Sequence, residues 1–129
     1  MFEEHGRRIV VKRHSKPNLL KRILYSFSGS RAERAYRNAK KLLSMGVNTP
    51  QPIGFINVYS KGLLSGSYYV SHYSDYRPVT DIQDPRNKEN DALFNALVNF
   101  TVSLHEKGIR HDDYNLSNVL YKKTNDGKY

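Results

Sequence analysis

The chain has 129 residues, 38% of them hydrophobic and 26% charged, an ordinary globular balance with room for one modest core. It contains no cysteine, which excludes a disulfide framework and a thiolate metal site. Its net charge is +9, and the excess lies early: residues 1–50 hold 12 Lys/Arg against three Glu, whereas residues 51–129 hold nine Lys/Arg against nine Asp/Glu. So basic an N-terminal part attracts phosphate-bearing partners such as a nucleotide, a phosphosugar, an anionic lipid or nucleic acid, and charge alone does not choose among them. No apolar run nears the ~20 residues of a membrane-spanning helix. Met1-Phe2-Glu3-Glu4-His5 lacks the basic and apolar regions of a secretion signal, so the expected location is cytoplasmic.

In chain order, Ile9-Val10-Val11-Lys12-Arg13 is a β-branched run and predicts a strand. Upstream only Gly6 is present, and the chain is too short there for the two full strands of a Gly-rich hairpin. After Pro17, Leu19, Leu20, Ile23, Leu24 and Phe27 recur at helical spacing, with Lys16, Lys21 and Arg22 nearby. This basic amphipathic segment, residues 16–27, is expected to pack against the rest of the domain. Contact with an inner-membrane surface is its second reading.

Ser28-Gly29-Ser30 breaks the chain, and Ser30 with Glu33 matches a capping box opening a helix over Ser30–Met45. Its apolar stripe is Ala32, Tyr36, Ala39 and Leu43, with Gly46 as the stop. Strands are predicted over 53–59 and 68–73, joined through Lys61-Gly62 and Ser65-Gly66 as a hairpin with a longer loop. A polar stretch with Pro78 and Pro85 follows, so the expected organisation is an N-terminal lobe over 1–73, a connector over 74–89 and a second lobe over 90–129. That second lobe opens with a helix from Asn90 or Asp91 to Lys107, striped by Leu93, Leu97, Phe100 and Leu104 and ended by Gly108. Thr124-Asn125-Asp126-Gly127 is a turn signal.

The chemistry is concentrated in His111-Asp112-Asp113-Tyr114-Asn115-Leu116-Ser117-Asn118, followed by the apolar Val119-Leu120-Tyr121. The pattern is His-x-Asp, four residues, Asn, then a strand. It resembles the catalytic loop of protein-kinase-like enzymes, in which a helix ending like Leu104–Ile109 delivers the chain into the loop. Phosphoryl transfer requires a carboxylate at the attacking hydroxyl and an oxygen ligand for the metal that bridges the phosphates. The resemblance makes Asp113 the base, Asn118 a Mg²⁺ ligand with a hard oxygen and His111 a brace for the loop. Asp112 stands where the usual residue is Arg or Gly, and no role is assigned to it. Taken alone, the stretch also suits a polar loop whose Asp and Asn make turns.

Lys12, on its strand, resembles the lysine that holds nucleotide phosphates, although neighbouring Arg7, Arg8 and Arg13 also suit a solvated charge. Glu33 is the candidate glutamate that pairs with Lys12, with the capping box as its rival role. The position slightly later on the helix is Ala35, which cannot pair with anything.

Arg31-Ala32-Glu33-Arg34-Ala35-Tyr36-Arg37-Asn38-Ala39, Leu42-Leu43 and Gly46-Val47-Asn48-Thr49-Pro50-Gln51-Pro52-Ile53-Gly54 are similar to the lipopolysaccharide kinase family of Kdo and heptose kinases. The likeness covers roughly residues 9–122. It implies an α+β, two-lobed, protein-kinase-like fold, with an antiparallel N-lobe sheet, a helix and the beginning of a helical C-lobe. It also implies ATP and Mg²⁺ as cofactors and a sugar or glycolipid hydroxyl as acceptor. The family's second metal aspartate follows the loop by about a dozen residues, where this chain has the turn at Asn125-Asp126-Gly127, so the likeness implies an incomplete chain that is inactive alone. Two rival readings stand beside it. One is a non-catalytic kinase-fold module holding an anionic partner through its basic N-terminal part. The other is a nucleic-acid-binding protein, suggested by the charge and ten tyrosines but backed by no nucleic-acid motif.

Overall fold

The computed structural model describes residues 2–4, 6–82, 86–109 and 118–129. Two compact units divide the chain, Met1–Ser74 and Asp75–Tyr129, and the fold is α+β.

The first unit is built on a four-stranded antiparallel sheet. Its strands are β1 (Phe2–Glu4), β2 (Arg7–His14), β3 (Pro52–Ser60) and β4 (Leu63–His72), in the order β1-β2-β4-β3. The β-branched Ile9-Val10-Val11 run lies inside β2 as its composition predicts. Strand β1 is an addition to the three strands expected. It pairs Phe2 with Ile9 and Glu4 with Arg7 across a turn in which Gly6 takes a φ of 73°. Its three residues are too few to carry an alternating pattern, which is why composition misses it.

The β3–β4 connection also differs from expectation. Lys61 and Gly62 alone make the turn, both at positive φ (52° and 75°), which is the twist a tight two-residue hairpin requires. Ser65 and Gly66 are not loop residues. They lie within β4, where Gly66 pairs with Val58, and a bulge between Val58 and Tyr59 absorbs the register shift. A Ser-Gly pair reads as a turn in sequence, but the tight hairpin two residues earlier overrides it.

Helix α2 (Arg31–Ser44) packs on β3 and β4. Its inward residues Ala32 and Ala39 are buried, as are Ser67 and Ser71 of β4, so small side chains on both elements let helix and sheet approach closely. Tyr36 adds a tilted ring contact with Phe55, centroids 5.7 Å apart. Both ends of α2 are fixed as the sequence predicts. At the start, the Ser30 hydroxyl accepts from the Glu33 N–H at 3.0 Å. At the end, Gly46 N–H donates to Leu43 C=O at 3.0 Å and Val47 N–H to Leu42 C=O at 2.9 Å, with Gly46 left-handed at φ 72°. Ser30 is wholly buried, so Ser30→Ala is expected to lower unfolding stability by ~1 kcal/mol, read as a lower urea midpoint with an unchanged slope. An unchanged midpoint would show that the cap contributes nothing.

Helix α1 (Leu19–Ser28) forms where predicted and is capped by the Asn18 side chain, which accepts from Lys21 N–H at 3.0 Å. It does not bury its apolar stripe, contrary to the expectation of packing. No residue of α1 is buried, and its polar side meets the sheet instead. Arg22 Nε donates to Leu64 C=O at 2.9 Å, and Ser26 Oγ accepts from Leu64 N–H at 3.1 Å. These two bonds satisfy both backbone groups of Leu64 outside the strand ladder, and they fix which way the helix faces.

The second unit contains β5 (Arg77–Pro78), paired antiparallel with β6 (Leu120–Tyr121), and α3 (Asp91–Glu106). Leu93 and Leu104 of the predicted α3 stripe are buried. The helix ends like α2: Gly108 N–H donates to His105 C=O and Ile109 N–H to Leu104 C=O, both at 2.9 Å. An exposed pair, Lys122 to Asp75 at 2.6 Å, lies beside the β5–β6 ribbon.

Candidate functional site

Five residues carry the phosphotransfer reading of the sequence. Lys12 and Glu33 belong to the first unit and Asn118 to the second, while His111 and Asp113 lie outside the described residues.

Lys12 sits on β2 opposite Tyr69 of β4. Alternation along the strand places it on the same sheet face as His14, and His14 lines a small cavity with Tyr25, Arg31, Leu64 and Ser67. Lys12 is thus on the helix-covered side of the sheet, yet exposed, and it makes no ion pair among the described residues. Its partner across the strands, Tyr69, has its phenol pKa raised by burial and so stays a neutral neighbour.

Glu33 is bonded within its own helix. Its N–H bonds the Ser30 hydroxyl, and its carboxylate is held by Arg37 one turn later. No ion pair within bonding distance joins it to Lys12. The structure therefore shows the Ser30 half of the capping box, while the Glu33 carboxylate is engaged by Arg37.

Positive charge collects around this face. The Arg31 and Arg34 side chains bond and attract the Tyr25 phenol, lowering its pKa, and the Arg34 guanidinium lies 4.8 Å from the ring centre. The His14 pKa is also lowered, first by burial and then by the charges of Lys12 and Arg31. His14 Nε2 is buried with no hydrogen-bond partner among the described residues, which agrees with a neutral ring. The linkage sign follows from that. A base whose folded pKa lies below its unfolded value of about 6.5 binds more protons when unfolded, so stability is full above that pH and falls as the pH drops below it. Thermal melts are expected to show a midpoint that declines from pH 7.5 to 5.5 in the wild type and less steeply in His14→Gln. Equal slopes would remove His14 from the account.

At the end of β4, two backbone donors are already used. His72 N–H bonds Gln51 C=O and Tyr73 N–H bonds Arg8 C=O, both at 2.9 Å, and the Arg8 guanidinium covers the Tyr73 ring at 4.1 Å.

Asn118 is exposed and stands two residues ahead of β6, so a paired strand fixes the chain directly after it. It offers one hard oxygen of the type that Mg²⁺ prefers. Asp126 is the one acidic residue beyond it in the sequence, and it serves the turn. Its carboxylate accepts from the Thr124 hydroxyl at 2.5 Å and lies 3.3 Å from Lys128 Nζ, contacts that hold its pKa low. Among the described residues no group of three or more His, Asp or Glu side chains could hold a metal ion.

Sequence reasoning missed the way Arg37 occupies Glu33, although the i,i+4 spacing of Glu33 and Arg37 is visible in the sequence. Comparison with curated proteins and with solved structures gave no significant match. The model of the lipopolysaccharide kinase (Kdo/WaaP) family, in contrast, matches residues 2–129, which takes in both units and the His111–Asn118 stretch. The chain belongs to the lipopolysaccharide kinase (Kdo/WaaP) family.

Proposed function

We propose that the protein transfers the γ-phosphate of ATP to a sugar hydroxyl of a lipopolysaccharide-type glycolipid. The observation that carries this reading is the family match over residues 2–129, which contains the His111-x-Asp113-x4-Asn118 pattern. In this reading Asp113 accepts the proton of the acceptor hydroxyl as its oxygen attacks the γ-phosphorus. The bond between that phosphorus and the β–γ bridging oxygen breaks, and ADP leaves. Mg²⁺, when bound, neutralises phosphate charge, and Asn118 holds it.

Lys12 orients the phosphates. Its exposure and lack of an ion pair among the described residues support this, because a lysine already paired would have to give up a partner first. Glu33 pairs with Lys12 in the nucleotide-bound protein by leaving Arg37. An exposed i,i+4 pair is worth only ~0.3–0.5 kcal/mol, so this exchange is small beside the energy of phosphate binding. His111 braces the loop.

The test is transfer of label from γ-labelled ATP by the full-length protein, with and without a lipid A–core sugar acceptor. Label in the acceptor that depends on Mg²⁺ is the expected result. ATP hydrolysis that the acceptor does not change, with no label transferred, would sink the reading.

A further inference from the structure

We infer that α1 is a membrane-docking element, whose outward apolar face inserts into the surface of an anionic bilayer. The inference rests on α1 itself and not on the phosphotransfer reading, so either can fail without the other.

Leu20 and Phe27 are 82% and 87% exposed, with Leu19, Ile23 and Leu24 exposed beside them. At 100° per residue these five fall on one side of the helix, while Arg22, Tyr25 and Ser26 fall on the other. An apolar stripe on a surface helix normally faces the core. Here Arg22 and Ser26 are bonded to both backbone groups of Leu64, and Arg22 reaches Ser60 C=O as well, at 3.3 Å. Rolling the helix inward would break all three bonds. The outward direction of the apolar face is therefore specified by the fold.

Charge selects the partner. From Arg7 to Arg31 the chain carries eight Lys/Arg and no Asp or Glu. Lys16 and Lys21 are exposed next to the apolar face. An apolar stripe flanked by cations on a short helix lies in the plane of a bilayer, with its large side chains below the headgroups and its lysines at anionic lipid phosphates. A second copy of the chain fits worse, because a symmetric contact through α1 brings two such basic segments together. One ten-residue helix supplies only reversible, salt-sensitive attachment.

The test is co-sedimentation of the protein with vesicles of phosphatidylethanolamine and phosphatidylglycerol, beside vesicles of phosphatidylcholine alone. Binding to the anionic vesicles is expected to exceed binding to the neutral ones by about 10-fold or more and to weaken at high salt. The double variant Leu20→Asp, Phe27→Asp should lose binding by about 10-fold or more. Neither side chain contacts the core, so far-UV circular dichroism and the melting midpoint should match the wild type. Equal binding by wild type and variant would overturn the inference. So would a wild-type dimer in sedimentation velocity that the same substitutions dissociate, with no vesicle binding, since the face would then belong to a second copy.

Discussion

Asp113→Asn is expected to lower phosphate transfer by the full-length protein by about 10²-fold or more, with Mg-ATP affinity changed little. The amide keeps the size and much of the hydrogen-bonding shape of the carboxylate but cannot take up the acceptor proton. Any rate that survives comes from positioning and charge neutralisation, which dominate phosphoryl transfer. Two other substitutions separate this role from general damage. Lys12→Ala should weaken transfer mainly through lost phosphate orientation, and so raise the ATP concentration needed for half-maximal rate. Ser117→Ala, adjacent to Asn118, should be mild. The measurement is transfer of label from ATP to a lipid A–core sugar acceptor. If Asp113→Asn retained full activity, the catalytic-loop assignment would have to be abandoned.

The second large effect is on stability. Leu64→Ala is expected to lower the unfolding free energy by ~2–5 kcal/mol, a large share of what a small domain possesses. Leu64 is the largest fully buried side chain among the described residues, 2% exposed, and it stands on β4, which is paired on both sides. Its backbone groups also anchor α1 through Arg22 and Ser26, so a shift of the strand after truncation disturbs that helix too. Leu20→Ala is the matching control. It removes the same atoms from an exposed position and should stay within ~0.5 kcal/mol. Urea unfolding of both variants separates burial from composition. A cost for Leu64→Ala no larger than that for Leu20→Ala would mean that β4 is not the centre of the core.

The elements legible in sequence were those fixed by local rules. Ser30 with Glu33 announced the start of α2, Gly46 and Gly108 announced two helix ends, and the β-branched run around Val10 announced β2. The direction in which α1 faces was not legible, because an amphipathic stripe shows only that a helix has two sides. Which side meets the sheet was settled by Leu64, 42 residues away from Arg22. The β3–β4 turn was misjudged for a related reason: Lys61-Gly62 and Ser65-Gly66 both suit a turn locally, and pairing with the flanking strands chooses between them. The candidate site was legible only as chemistry. Its spacing named Asp113 and Asn118, whereas the i,i+4 spacing that lets Arg37 hold Glu33 was visible and went unused. The expectation for His111 and Asp113 lies outside the described residues and stands on the pattern and the family match.

The ends of α2 and α3 share one hydrogen-bond pattern, at Met45-Gly46-Val47 and Lys107-Gly108-Ile109, each a glycine followed by a β-branched residue. In each, the glycine turns left-handed and the β-branched residue after it bonds back to the helix. Gly46-Val47 also opens one of the stretches, through Gly54, that are similar to lipopolysaccharide kinases. That part of the resemblance is punctuation: it says where a helix stops, and it carries no information about the sugar that receives the phosphate. A search phrase built on it would gather relatives by architecture, and sorting them by acceptor has to rely on other parts of the chain.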